Sequence, residues 1–211
     1  LVDACIDADV TNLSGVPSWF LTVIKRVMER KGVSSLHEVW PNLEVFFHGG
    51  IDFEPYREQY EKICDMSKMH FLNTYNASEG FFAVQSDWST TAMLLLLDIG
   101  VFFEFLPIED TDSSTPEVYP IWEVEHGRTY ELVITACNGL WRYRIGDTVR
   151  IEQLHPVKIS IAGRTKSFIN AFGEELMVGN ADYAIAQAQR ETGAEVANYT
   201  AAPVYACQDV R

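Results

Sequence analysis

The sequence predicts an α/β fold in which helices surround mixed sheets, with a β-rich lobe. Apolar residues recur at helical spacing over Trp19–Arg30. From Phe71 onward, short runs rich in β-branched and aromatic residues alternate with polar turns, which is typical of strands. After Gly163, a strand, a helix and a strand follow one another. We therefore expect residues 1–163 to be the later part of a large domain, and residues 164–211 to be the incomplete start of a small α+β domain.

The first seventy residues are predicted to be mainly helical. Pro17 suits the first turn of the helix over Trp19–Arg30, and Gly32 is placed to end it. Three further elements follow in order: a helical turn near Leu36–Trp40, a buried strand over Leu43–Phe47 that closes at His48-Gly49-Gly50, and a helix over Glu54–Asp65.

The remaining chain is predicted to consist mainly of strands. Phe71–Tyr75 and Gly80–Gln85 flank a polar corner, and Met93–Asp98 and Val101–Leu106 predict a hairpin around Ile99-Gly100. The later predicted elements are strands at Tyr119–Val124, Thr129–Thr135, Leu140–Ile145, Thr148–Glu152, Val157–Ile161 and Ser167–Ala171, a helix at Ala181–Glu191 and a strand near Val196–Ala201.

Composition excludes several classes of function. The formal net charge of −14 argues against a broad nucleic-acid or anionic-membrane surface, because such partners need a cationic face. The longest apolar stretch, Ala92–Leu97, is too short to cross a bilayer, so we expect no membrane insertion. The four cysteines show no metal or disulfide spacing, which predicts reduced thiols and a cytoplasmic location.

One segment has more basic than acidic residues, unlike the chain as a whole. Between Arg142 and Lys166 the sequence has six cations and two acids. A local cationic set in an acidic chain fits a small polyanion, and cations spread along exposed strand faces fit equally well.

Three segments carry residues suited to chemistry. The first is 74–82 (Thr-Tyr-Asn-Ala-Ser-Glu-Gly-Phe-Phe), a strand–turn–strand with one acid at its apex. The second is 139–147 (Gly-Leu-Trp-Arg-Tyr-Arg-Ile-Gly-Asp), where an Asp follows a strand at a Gly turn. The third is 161–173, which contains Gly163-Arg164-Thr165-Lys166. Taken singly, each has an ordinary explanation as a turn or as solvated surface charge.

Together and in this order, the three segments resemble successive core motifs of the adenylate-forming superfamily. The match is closer to its GH3 family of acyl-acid amido synthetases. The segments Phe103–Pro107, Tyr130–Thr135 and 139–147 resemble family motifs, and Phe168–Leu176 resembles the version of bacterial members. The resemblance runs nearly end to end but covers less than half of a typical member, so we expect this chain to be an internal fragment.

The resemblance implies a site for ATP and Mg²⁺. Asp147 would accept hydrogen bonds from the ribose hydroxyls, and Arg164 would donate to the ribose. Glu79 would be catalytic through the Mg²⁺ that it helps to hold near the phosphates, since Mg²⁺ usually takes one or two carboxylates. Ser78, beside it in the same turn, is a further candidate nucleotide contact.

The adenine ring would lie against Gly49 and Gly50, where missing side chains leave room for a planar group. Tyr75 or Phe81 would flank that ring. Lys166 would stand at the hinge about which the small domain turns between half-reactions.

The sequence also departs from the superfamily pattern. The loop that cradles the triphosphate is expected before Leu1, so the chain alone is expected to be inactive. Asn170 stands where many acyl-CoA synthetases have a lysine, which weakens a thioester-forming interpretation. The resemblance therefore implies activation of a small carboxylic acid as an acyl-adenylate, followed by attack of an amine, expected to be an amino acid. The sequence leaves the oligomeric state open.

Two alternatives belong to other classes. A non-catalytic nucleotide-binding module or pseudoenzyme would keep the fold, although the presence of Glu79, Asp147 and Arg164 favours the enzyme. A hydrolase is weakly supported, because there is no Gly-x-Ser-x-Gly motif and no His is placed by sequence to activate Ser78.

Overall fold

A computed structural model describes residues 1–165, 168–171 and 174–201. By the density of contacts, the chain divides into two compact units. Unit one comprises Leu1–Leu95 and Ala186–Ala197, and unit two comprises the described residues of Leu96–Ile185 and Asn198–Arg211. The domain boundary expected at residues 163 and 164 stays a prediction.

Unit one packs helices against a mixed sheet. Its elements are α1 (Val2–Cys5), β1 (Asn12–Gly15), α2 (Pro17–Lys31), α3 (Leu36–Val39), β2 (Val45–His48), α4 (Glu54–Ile63), β3 (His70–Ala77), β4 (Gly80–Gln85) and β5 (Met93–Leu95). β1, β2 and β3 pair in parallel, whereas β3, β4 and β5 pair antiparallel. The predicted helices of this region and the strands that became β2, β3 and β4 are confirmed, with ends shifted by at most two residues.

Helix α2 begins and ends where its sequence predicts. Pro17 occupies the first turn, and Gly32 ends the helix in the left-handed conformation at φ 68°. Ile24 and Val27 on its apolar face are fully buried. The Tyr60 hydroxyl of α4 donates to the Pro17 carbonyl at 2.8 Å, so the two helices are joined by a hydrogen bond as well as by apolar packing.

Two buried histidines in unit one have different environments. His37 is fully engaged, because its Nε2 lies 2.9 Å from the Leu43 carbonyl oxygen and its Nδ1 accepts from the Asp65 amide. His48 stacks on Phe53 at 4.3 Å, and its buried Nδ1 has no hydrogen-bond partner among the described residues. Burial, and next the positive charge of Arg57, lower the pKa of His48 to about 4. The imidazole is therefore neutral in the folded protein near neutral pH.

Unit two is built on an antiparallel sheet. Its strands are β6 (Val101–Pro107), β7 (Tyr119–Pro120), β8 (Thr129–Ala136), β9 (Tyr143–Leu154) and β10 (Val157–Arg164), in the spatial order β10-β9-β8-β6-β7. A separate hairpin follows, formed by β11 (Phe168–Ala171) and β12 (Glu174–Met177). Helix α5 (Val178–Thr192) begins in unit two and ends in unit one, where Gln189 Nε2 donates to the Pro55 carbonyl at 2.7 Å.

The predicted hairpin around Ile99-Gly100 is wrong. β5 pairs with β4, and β6 pairs with β7 and β8. The register of β6 with β8 extends over seven residues, from Val101 to Pro107. β6 therefore satisfies its backbone groups against β8, which lies far from it in the chain, and not against β5.

The turn predicted at Gly146-Asp147 is also wrong, because β9 runs through these residues without reversing. Glu131 of β8 pairs with Thr148, and Val133 pairs with Arg144. Three residues of β9 therefore face one residue of β8, which is a β-bulge. Gly146 adopts φ 83°, a left-handed conformation that glycine adopts without steric cost. The glycine thus accommodates the bulge without backbone strain.

Two shorter predictions fail at strand ends. The strand expected at Tyr119–Val124 stops at Pro120 and continues as a 3₁₀ turn at Ile121–Glu123. Residues 196–201 form no strand. The Val196 amide instead donates to Gln189 Oε1 of α5 at 2.6 Å. This side chain takes the place of the neighbouring strand that the prediction required. Among the described residues, no helix has the length and apolarity needed to span a bilayer.

The neutral state of His48 predicts a pH dependence of stability. In the unfolded chain His48 takes up a proton near its ordinary pKa of 6.5, whereas in the folded protein it does so only near pH 4. Unfolding is therefore favoured as the pH falls through this window, by about 2 kcal/mol between about pH 7 and about pH 5. Urea denaturation of the parent and of His48→Asn at both pH values measures this effect. The variant is expected to lose that part of the pH dependence, and an unchanged dependence would rule out His48 as its source.

Candidate functional site

The β3–β4 hairpin of unit one carries two of the predicted site residues. Ala77 pairs with Gly80, so Ser78 and Glu79 form the two-residue loop between the strands. Ser78 is exposed and Glu79 is half-buried. The acid therefore lies at the apex of the hairpin, as predicted, where its carboxylate can reach solvent and an external ligand.

The two aromatic candidates lie in different environments. Tyr75 is 3% exposed and packs edge-on against Phe82 at 5.1 Å. Phe81 is 44% exposed. Only an accessible ring can stack on a planar ligand without rearrangement of the core, so the burial favours Phe81 of the two alternatives.

Gly49 and Gly50 follow β2 and lie beside β3. A Cβ atom at position 49 would come within 2.4 Å of the Thr74 carbonyl oxygen, a backbone atom that cannot move aside. Gly50 has φ 82°, a conformation that L side chains rarely adopt. The Thr74 hydroxyl also donates to the His48 carbonyl at 3.1 Å. The fold itself therefore requires glycine at both positions, whether or not a ligand approaches them.

In unit two, Asp147 and Arg164 are brought together. Their backbones are paired across β9 and β10, and Arg164 Nε donates to Asp147 Oδ1 at 2.7 Å. The Asp147 side chain is 10% exposed and that of Arg164 is 63% exposed. A carboxylate offers about four acceptor positions, so an Asp oriented by one arginine can also accept from a ligand hydroxyl.

Thr165 closes the end of this strand pair. Its amide donates to the Gly146 carbonyl at 2.8 Å, and its hydroxyl reaches the same oxygen at 3.3 Å. Thr165 and Gly146, the chain neighbours of Arg164 and Asp147, are therefore joined by hydrogen bonds. Lys166, the predicted hinge residue, lies outside the described residues.

The cations of the basic segment are mostly paired inside unit two. Arg142 binds both carboxylate oxygens of Glu104, at 3.0 and 2.9 Å. Arg144 donates through Nε and Nη2 to the same carboxylate oxygen of Glu131, which raises the pKa of Arg144. Together with the Arg164–Asp147 pair, these contacts favour internal pairing over a free polyanion-binding surface.

Sequence reasoning missed Glu104 and Glu131. Glu131 is 1% exposed within β8. The signal was present, because a lone acid inside the apolar run Tyr130–Ile134 must find a cation or a hydrogen-bond donor if the strand is buried. The pattern did not identify which of the six nearby cations would serve.

A further feature not foreseen is a pocket of about 320 Å³ in unit one. It is bounded by the start of α4, the sheet and the loop after β4, with His48, Arg57, Asn73 and Trp88 among its lining residues. Separately, no group of three His, Cys, Asp or Glu side chains suited to a metal ion occurs in the part of the chain that the structure describes. Mg²⁺ does not need such a group when phosphates complete its coordination, so Glu79 stays a predicted Mg²⁺ ligand.

Comparison with known proteins links unit two to one family. Residues 94–164 match the GH3 family central domain. Among curated proteins, the chain is similar to indole-3-acetic acid-amido synthetase GH3.8 of Oryza sativa subsp. indica, with 34% identity over 128 residues that cover 56% of this chain and 20% of that protein. The chain therefore spans about a fifth of the length of the curated relatives that it matches.

Two solved structures show the fold. A GH3.15 acyl acid amido synthetase matches with a TM-score of 0.65 and 20% identity, covering 86% of this chain and 42% of that one. A 2-hydroxyisobutyryl-CoA ligase in the postadenylation state matches with a TM-score of 0.64 and 15% identity, covering 88% of this chain and 39% of that one. The predicted α/β fold of adenylate-forming enzymes is thereby confirmed.

Proposed function

We propose that the protein to which this chain belongs activates a small carboxylic acid with ATP and transfers the acyl group to an amine. The first half-reaction forms an acyl-adenylate and releases pyrophosphate. In the second, an amine, which we take to be an amino acid, attacks the acyl carbon and AMP leaves. The observation that carries the proposal is the Asp147–Arg164 pair, which joins the bulge of β9 to the last residue of β10 within the segment matching the GH3 family central domain.

Asp147 and Arg164 are proposed to bind the ribose. The Asp147 carboxylate accepts from the ribose hydroxyls, and Arg164, which donates to Asp147 Oδ1, also donates to the sugar. The exposed Arg164 side chain supports contact with a ligand, and the burial of the Asp147 side chain limits its rotation. Charge-assisted hydrogen bonds of this kind are about twice as strong as neutral ones.

Glu79, Ser78 and the glycine pair are proposed to bind the rest of the nucleotide. Glu79 holds Mg²⁺, which when bound neutralises phosphate charge, and Ser78 contacts the nucleotide from the same loop. Gly49 and Gly50 present bare backbone to the adenine, and Phe81 or Tyr75 flanks the ring. The exposure of Phe81 and of the Ser78–Glu79 loop supports these roles.

Three finer points belong to the same proposal. Lys166 is the hinge residue between half-reactions, and residues from about 164 onward begin the small domain. The protein is a bacterial-type member of the family. It acts in the cytoplasm, which the free thiols of Cys5, Cys64 and Cys137 support.

The direct test is acid-dependent exchange of pyrophosphate into ATP by the full-length protein, with a panel of small carboxylic acids. We expect exchange with at least one acid, and amide formation when amino acids are added. ATP binding without exchange for any acid would instead support the non-catalytic nucleotide-binding module.

Removal of the Asp147 carboxylate is expected to weaken nucleotide binding. Asp147→Ala in the full-length protein should cost roughly 1.5–3 kcal/mol of ATP binding, because charge-assisted hydrogen bonds to the ribose are lost. Asp147→Asn should lose less, since the amide keeps one acceptor. Isothermal titration of ATP measures both.

The matched control for this experiment is Glu104→Gln. It breaks another carboxylate–arginine pair of unit two, with Arg142, without touching the proposed ribose contact. We expect the control to bind ATP like the parent. If folded Asp147→Ala also binds ATP like the parent, Asp147 is only a structural residue of the bulge.

The hinge is tested by Lys166→Pro. Proline fixes φ near −65° and removes the amide N–H, so it should restrict a hinge while an ordinary exposed loop tolerates it. We expect amine transfer to fall about tenfold or more, which is about 1.4 kcal/mol, while adenylate formation changes little. Burst kinetics separate the two steps, and equal losses in both, or none, would exclude Lys166 as the hinge.

A further inference from the structure

The bulge that presents Asp147 is bounded by one ion pair. On β8, Glu131 and Val133 are separated by one residue, whereas their partners on β9, Thr148 and Arg144, are separated by three. The extra residues include Gly146 and Asp147, so the geometry of the proposed ribose contact depends on how this excess chain is held.

Glu131 and Arg144 lie at the two margins of the bulge. Glu131 pairs with Thr148 on one side, and Arg144 pairs with Val133 on the other. The Arg144 side chain then reaches back across the bulge, and its Nε and Nη2 both donate to Glu131 Oε2, with Nε at 3.0 Å. The two ends of the excess segment are therefore joined by side chains as well as by the ladder.

The burial of the two partners is unequal. The Glu131 side chain is 2% exposed and that of Arg144 is 43% exposed. A buried carboxylate carries a large desolvation cost, and a well-packed apolar residue of similar size is often at least as stable. Stability alone therefore gives little reason for an acid at this position in an apolar strand.

We propose that Glu131 is a positioning residue, which acts through Arg144 to fix the width of the bulge and so the place of the Asp147 carboxylate. This inference rests on the proposed role of Asp147 in nucleotide binding. Without the ion pair, the backbone at 145–147 samples more conformations, and the Arg164–Asp147 pair must be ordered anew each time a nucleotide binds.

The chain offers a matched control. Arg142 and Glu104 form a second ion pair in the same sheet, between β6 and the residue before β9. This pair lies outside the bulge, so it shares the charge and chemistry of the first pair but not its position.

The experiment compares Glu131→Gln, Arg144→Gln and the double variant Glu131→Met with Arg144→Met, each in the full-length protein. The measured quantities are the Kd for ATP and the melting temperature. We expect each variant to bind ATP about tenfold more weakly, a factor worth about 1.4 kcal/mol. The double variant should recover the parent's melting temperature, because apolar replacement of both partners removes the buried charge, yet its affinity for ATP should stay low.

The corresponding control, Glu104→Met with Arg142→Met, should bind ATP like the parent.

A second measurement does not depend on nucleotide. In Glu131→Gln, the amide resonances of Gly146 and Asp147 should shift more than those elsewhere in β9, and in Glu104→Gln they should stay in place. If Glu131→Gln does not fold, the double variant Glu131→Met with Arg144→Met carries the same test, because it removes the buried charge together with its partner.

Two results would overturn the inference. One is recovery of ATP affinity together with melting temperature in the double variant, which would make the pair merely structural. The other is unchanged affinity and unchanged amide shifts in all Glu131 and Arg144 variants. Asp147→Ala separates the failures: if it weakens binding while the Glu131 set does not, only the positioning role is wrong, and if it leaves binding unchanged, the ribose site and the role built on it are both wrong.

Discussion

The ladder formed by β8, β9 and β10 is the constraint on which unit two depends, because it has to absorb unequal numbers of residues without losing its register. Leu132 on β8, which faces the extra residues, and Val149 on β9, which follows them, are fully buried. A one-residue slip would move such side chains to the opposite face of the sheet, so buried residues fix the register. The excess chain is therefore taken up in a bulge, where Gly146 adopts a left-handed conformation.

The charges of unit two follow from the same ladder. Paired strands place Asp147 opposite Arg164 and bring Glu131 within reach of Arg144. The carboxylate of each pair is buried, so the cost of its desolvation offsets much of the attraction between the charges. The value of these pairs lies in geometry, since each arginine fixes the direction of one carboxylate. This explains how an acidic chain can hold a cluster of cations without forming a cationic surface.

Unit one shows how one residue type can serve two requirements. Gly49 lies so close to the Thr74 carbonyl that no side chain fits, and a bare backbone is also what a planar ligand needs. A loss of binding on substitution of Gly49 would therefore report packing as much as ligand contact. Glu79 lies in a two-residue hairpin loop, where many residue types suit a turn, so substitution there tests the proposed role without the steric conflict found at Gly49.

The sequence by itself determined the elements whose causes are local. Pro17 and Gly32 mark the ends of α2, period-two patterns mark most strands, and the order of the three motifs indicates the family whose central domain residues 94–164 match. Only the tertiary structure decided the strand partners of β5 and β6, the bulge in place of a turn at Gly146-Asp147, and the use of the Val196 amide by Gln189. It also decided which arginine each carboxylate binds. The physical reason is that strand pairing and buried ion pairs join residues far apart in the chain, and local patterns set only what each segment can form, not which segment it meets.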